Sequence, residues 1–220
     1  MNQQQFDPEL IFQWSAARSI ARNLPEPVPD FGGHRVDTYS ERERRRWVFP
    51  FMQEGLSALA HIIDHPGDFI KLCGTASELK AVLTNDWEIG NPGYIMTFEG
   101  KVIKRDVAIP NGYVMEISKS DRTTEVRIFN DQSELAASGY AAETEKLFVY
   151  DRIATEPDHQ RKGLGSIVMS TLRASIHQSG IQELLVATEE GRYLYETLGW
   201  KVISPFTSAS LNKPRSICCK

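Results

Sequence analysis

Cysteine is scarce in this chain: Cys73, Cys218 and Cys219 are the only three in 220 residues. An odd count without metal-ligand spacing excludes a disulfide framework and a thiolate metal site, and it predicts reduced thiols in a cytoplasmic protein. The adjacent Cys218 and Cys219 read either as a redox pair or as part of a frayed terminal tail. Long apolar runs are also missing. None approaches the roughly 20 residues of a membrane helix, and the opening MNQQQFDPEL lacks the basic-then-apolar layout of a secretion signal. Nor is there an excess of one charge. With a net charge of −4, nothing global points to nucleic acid or an anionic membrane, so any polyanion site must be a local cluster. His34, His61, His65 and His177 show no metal spacing and read as structural or surface residues. What is present, 41 % hydrophobic and 25 % charged residues, supports a packed core in one large domain or two small ones.

Asp7-Pro8-Glu9 supplies an N-cap, a first-turn proline and an acid, and so predicts a helix start. Leu10, Ile11, Trp14, Ala17, Ile20 and Ala21 give that helix one apolar stripe. Pro25, Pro27 and Pro29 end it. The run ERERRR at 41–46 reads as a solvated, self-paired surface, the alternative being an anion patch. Helices are predicted at 52–64 and 77–83, with a short strand at 68–73 between them. Residues 112–118, 123–129, 135–142 and 146–155 then read as strands of an antiparallel meander. A helix to about residue 178, a strand at 183–188, a helix at about 190–198 and a strand at 200–204 complete the chain. The order helix, strand, helix, Trp, strand occurs twice, with Trp87 and Trp200 in matching places. The first half is therefore either a worn copy of the second or a chance recurrence of a common pattern.

The segment DHQRKGLGSIVMSTLRA, residues 158–174, carries the chemistry. Leu164, Ile167, Val168, Leu172 and Ile176 bury one helix face. The first turn of a helix leaves backbone N–H groups unpaired and carries partial positive charge. Gly163 and Gly165 let the backbone approach an anion closely, and Arg161 and Lys162 add cations there, which favours a phosphate or pyrophosphate. The loop is neither a GxxxxGK[ST] phosphate loop, lacking Lys-Ser/Thr after the second glycine, nor a GxGxxG dinucleotide loop, since Val168 holds the third position.

Gln160-Arg161-Lys162-Gly163-Leu164-Gly165 resembles the [QR]-x-x-G-x-[GA] coenzyme A loop of the GNAT superfamily of acyl-CoA N-acyltransferases, with Pro157 in the preceding turn. Downstream, LYETLGW (194–200) is similar to that superfamily's second signature. The resemblance covers about residues 112–205. It implies an α/β (α+β) fold with a mixed, mostly antiparallel central sheet flanked by helices. Residues 1–104, which carry no family motif, are then an N-terminal α/β extension, either a degenerate GNAT-like lobe or a cover on the acceptor side, and 105–220 the acetyltransferase domain.

The resemblance also implies an activity: transfer of an acetyl or other short acyl group from acetyl-CoA to an amine by direct attack in a ternary complex. The alternative is a regulatory module that holds an acyl-CoA with little or no turnover. Backbone N–H groups of Arg161, Lys162, Gly163, Leu164, Gly165 and Ser166 would cradle the coenzyme A pyrophosphate, with Gln160 opening the loop. Ile153, Ala154 and Thr155 would pair with the pantetheine arm as an added strand. Tyr195 stands at the general-acid position, where a phenol serves the departing thiolate. Because a lysine-like amine is only about 0.04 % neutral at pH 7, and an α-amine about 10 %, a base or water relay matters. Where the family often places a Glu, this chain has Val149. Asp151, two residues on, is either a substitute base or an acid paired with Arg152 or another cation; Glu145 and His159 are further candidates. Thr188 replaces a family Asn, and Trp200 follows the glycine as a core aromatic. The expected partner is a small-molecule or peptide amine, with no nucleic acid, membrane or metal, and a homodimer is compatible with the sequence.

Overall fold

Asp7 begins the first helix as the sequence predicts: its side chain accepts a hydrogen bond from Glu9 N–H, and Pro8 opens the first turn. The computed structural model describes residues 7–100 and 108–211. In chain order the elements are α1 (Pro8–Ala21), β1 (Val28–Asp30), β2 (Gly33–Asp37), β3 (Arg45–Phe49), α2 (Glu54–Ile62), β4 (Asp68–Leu72), α3 (Ala76–Lys80), β5 (Trp87–Ile89) and β6 (Gly93–Phe98). Then come β7 (Tyr113–Lys119), β8 (Thr123–Asn130), β9 (Leu135–Glu143), β10 (Leu147–Thr155), a 3-10 turn at Pro157–His159, α4 (Leu164–Arg173), β11 (Gln182–Thr188), α5 (Glu189–Thr197) and β12 (Trp200–Leu211).

The strands form one mixed, mostly antiparallel sheet in the order β1-β2-β3-β4-β12-β6-β11-β10-β9-β8-β7, with β5 also on β12. Two pairs are parallel, β3 with β4 and β10 with β11, and each is joined through a helix. Alternation along β10 assigns its two faces. Phe148 and Tyr150 join the cluster beneath α4 and α5, while Leu147 and Val149 join the cluster beneath α1. A third cluster, with Leu56, Leu59, Ile70 and Leu79, lies under α2 and α3. Strand β12 feeds all three clusters, through Trp200, Phe206 and Leu211.

The expected meander is present, and the structure corrects the expectation at three places. Helix α4 ends at Arg173, not near residue 178. Ser175 Oγ donates to the Leu172 carbonyl, and the Glu143 carboxylate takes the backbone N–H groups of His177 and Gln178, which offers the chain a better arrangement than another turn. The last strand runs on from 204 to Leu211, because beyond a bulge at Val202–Ser204 it finds β4 and β5 as partners. The run at 41–46 is not simply a solvated surface. Arg45 and Arg46 lie in β3; Arg44 and Arg45 clamp the fully buried Asp68, and Arg46, itself buried, faces Glu43 at 2.7 Å. The 104/105 boundary and the Cys218–Cys219 pair fall outside the described residues.

Candidate active site

The bulge in β10 creates the site. Pairing with β9 is regular through Asp151 and resumes at Ala154, with Arg152 between them in the left-handed region at φ 52°. On its other side β10 pairs with β11 only over Leu147–Val149, although both strands continue, so the two splay apart. A cleft of about 270 Å³ opens in the splay. Tyr150, Ile153, Thr188 and Tyr195 line it with Trp14 and Arg18 from α1 and Arg22, which caps that helix.

At the end of β10 the chain turns through Pro157–His159 into the glycine loop. Arg161 at φ 59° and Gly163 at φ 82° flank Lys162, an alternation of backbone hand of the kind that forms anion-binding nests. The first helical bond of α4 runs from Ile167 N–H to the Gly163 carbonyl. None of the N–H groups from Arg161 to Ser166 finds an acceptor among the described residues. A Cβ on Gly163 would meet nothing within 4 Å, and one on Gly165 would only touch Thr155 Oγ1 at 3.4 Å and Leu194. The loop is thus open, cationic and lined with unspent donors, which suits a pyrophosphate. Lys162 Nζ donates to the Tyr113 hydroxyl at 3.0 Å, and that hydroxyl meets His159 Nδ1 at 2.8 Å.

Tyr195 is buried on the α5 side of the cleft, its ring tilted against Trp200. Its hydroxyl has no hydrogen-bond partner among the described residues, and burial pushes its pKa up to about 12. Thr188 caps α5 by accepting from Gly191 N–H. On the opposite face Asp151 is buried. Its carboxylate accepts from Arg18 Nε at 3.0 Å and from Arg22 Nε and Nη2 at 2.5 and 2.9 Å, with Arg152 at 3.4 Å. Burial alone would raise its pKa, but Arg18 and Arg22 override that and bring it to about 2. Val149 is fully buried beneath α1.

The structure therefore brings Asp151, Ile153 and Tyr195 to the cleft and sets Thr155 beside the loop that holds Gln160 to Ser166. Ala154 is exposed, and neither Glu145 nor His159 lines the cleft. Sequence reasoning passed over Arg18 and Arg22. Their signal was a like-charge i, i+4 pair beside an apolar helical stripe, an arrangement that repels unless a carboxylate lies between the two charges. Among the described residues no cluster of His, Cys, Asp or Glu is placed to hold a metal, and no helix is long and apolar enough to cross a membrane.

Residues 124–202 match the family model of the acetyltransferase (GNAT) domain, within the span of the motif resemblance. A GCN5-related N-acetyltransferase from Kribbella flavida superposes with a TM-score of 0.62 at 14 % identity, over 91 % of this chain and 95 % of that one. A GCN5-related N-acetyltransferase-like protein from Streptococcus suis gives 0.58 at 11 % identity, over 82 % and 84 %. A functionally unknown conserved protein from Staphylococcus epidermidis gives 0.57 at 10 %, over 89 % and 97 %. Comparison with curated proteins yields no match. Identities this low speak for the fold alone. Residues 124–202 match the GNAT acetyltransferase domain model, and the chain has the GNAT fold.

Proposed function

We propose that the protein is an acyl-CoA-dependent N-acyltransferase that moves an acetyl or short acyl group from acetyl-CoA to an amine in a ternary complex. The observation that carries this reading is the row of unspent N–H groups from Arg161 to Ser166, in a loop whose glycine faces open space. Those groups would hold the pyrophosphate, and the unpaired side of β10 at Ile153–Thr155 would take the pantetheine arm. When bound, acetyl-CoA supplies a thioester carbonyl open to attack. A C–N bond forms as the C–S bond breaks, the amine proton leaves to water, and the sulfur departs as a thiolate that takes a proton back from water to become the thiol.

Tyr195 serves the sulfur as a hydrogen-bond donor. With its pKa near 12 against a thiol's roughly 8.5, complete transfer of its proton is uphill by about 5 kcal/mol, so a hydrogen bond that strengthens as charge develops is the favourable role. Asp151, at a pKa of about 2, is a weak base; its place is as the anchor of Arg18 and Arg22 on the acceptor side. Within residues 1–104, we assign α1 to covering that side, a role supported by its packing over β9 and β10. A small amine reaching the cleft would be the partner.

A second reading, an acyl-CoA-binding module with little turnover, is favoured by one observation: Val149 is fully buried where the family often places a base. One experiment addresses both. Calorimetric titration of acetyl-CoA and desulfo-coenzyme A should show micromolar binding that Gly163→Glu weakens by about 100-fold or more, since a carboxylate would sit in the anion nest. Thiol release with an amine panel then separates enzyme from module. Absence of binding in the wild type would end both readings.

A further inference from the structure

The acceptor side of the cleft holds more hydrogen-bond donors than the chain can use. Arg18, Arg22 and Arg152 line it against a single carboxylate, Asp151. That carboxylate engages Arg18 through Nε alone and Arg22 through Nε and Nη2. Among the described residues, both terminal nitrogens of Arg18 and Nη1 of Arg22 have no acceptor, although the two side chains are only 17 % and 25 % exposed. Trp14, beneath the Arg18 guanidinium at 5.1 Å, lines the same wall, and its indole Nε1 is buried without a partner. Behind them Arg46 and Lys71, both buried, share the one carboxylate of Glu43. Guanidinium donors that line a cleft and are not spent on the chain's own acceptors are free to pair with a ligand's acceptors, and the buried, unpartnered Trp14 Nε1 beside them marks the same wall as short of acceptors.

Building on the acyltransferase reading, we propose that the acceptor is a small amine that carries a carboxylate, bound through the free donors of Arg18 and Arg22. A planar guanidinium presents parallel N–H groups that match a carboxylate's two oxygens. The cleft volume of about 270 Å³ suits a small molecule and not a folded protein surface. The cation excess repels polyamines and aminoglycosides, whose remaining ammonium groups would face three arginines. It also favours the neutral over the protonated form of the incoming amine, which lessens the need for a base at Val149. Asp151 then acts as a positioning residue, holding both arginines in register for the ligand.

The test uses products, so that no donor is needed. N-acetylglycine, N-acetylalanine and N-acetylglutamate are titrated calorimetrically into the full chain beside their carboxamides. At least one acid should bind about tenfold or more tighter than its amide, as expected for charge-assisted hydrogen bonds. Arg22→Gln should erase that preference, and Arg22→Lys should retain part of it. Equal affinities, or no binding of any acid to the wild type, would overturn the proposal without reference to the variants. Acetyl-CoA titrated in parallel separates the two ideas: acetyl-CoA binding without acid preference sinks only this inference, and acid preference without acetyl-CoA binding sinks the acyltransferase reading, overturning the acceptor role while leaving a carboxylate-binding cleft.

Discussion

The chain contains two strand-helix-strand-helix-strand units of the same order: β3-α2-β4-α3-β5 and β10-α4-β11-α5-β12. Both begin with a parallel pair, but the first is closed along its whole length. Arg45 to Phe49 face Asp68 to Leu72 without a break, and the strands' apolar residues fill the cluster under α2. The start of α2 is covered by the protein's own chain: a Cβ on Gly55 would lie 1.9 Å from the Phe31 carbonyl oxygen. In the second unit the strands part after three residue pairs and the helix start is bare. Both units also bury an aspartate between two arginines. Asp68 lies within a closed pair of strands, whereas the partners of Asp151 face a cleft. Helix dipoles and buried ion pairs are common to both halves, so the difference lies in what the backbone leaves uncovered.

Variants can sharpen or break this comparison. The largest effect is expected from Asp151→Asn, which leaves two half-buried arginines without their shared counter-charge and should destabilise the fold by about 3–5 kcal/mol in urea unfolding. Gly55→Ala, which drives a methyl into the Phe31 carbonyl, should cost about 3 kcal/mol of stability and leave acetyl-CoA affinity unchanged in the folded fraction. Gly163→Glu should show the reverse, intact folding and lost binding. If both variants behaved alike, the distinction between a covered and an open helix start would fail.

Tyr195→Phe should lower kcat about 10- to 100-fold while acetyl-CoA binding stays constant, as measured by steady-state kinetics beside calorimetry. The wild-type rate should show no loss assignable to this phenol below about pH 11, because its pKa is raised to about 12. The smallest effect concerns acid. The pKa of Asp151 is depressed in the folded state, so its contribution is complete above the unfolded value of about 4 and is lost as pH falls towards 2. Unfolding titrations between pH 5 and 2.5 should show a decline of which about 2 kcal/mol is absent in Asp151→Asn.

The glycine loop and the meander were legible in the sequence because their signals are local: QRKGLG carries its own geometry, and the strands alternate between marked turns. The acceptor side was not legible. Arg18 and Arg22 acquire meaning only from Asp151, more than 120 positions away, as their hydrogen bonds record. Strand β3 was hidden by its arginines, because only the fold reveals that Asp68 and Glu43 receive them. The second half of β12, with Pro205 and small polar residues, carries little intrinsic strand preference and is set by its neighbours β4 and β5.

Strand β6 lies between β11 and β12, both of which follow it by most of the length of a small domain. During synthesis it leaves the ribosome long before either neighbour exists, with both edges unpaired and Met96 without the buried residues of its cluster, all of which follow it. Closure of the sheet must therefore wait for the last strand. Folding should be slow for a chain of this size, and shortening the C-terminus into β12 would strand the middle of the protein as an aggregation-prone edge.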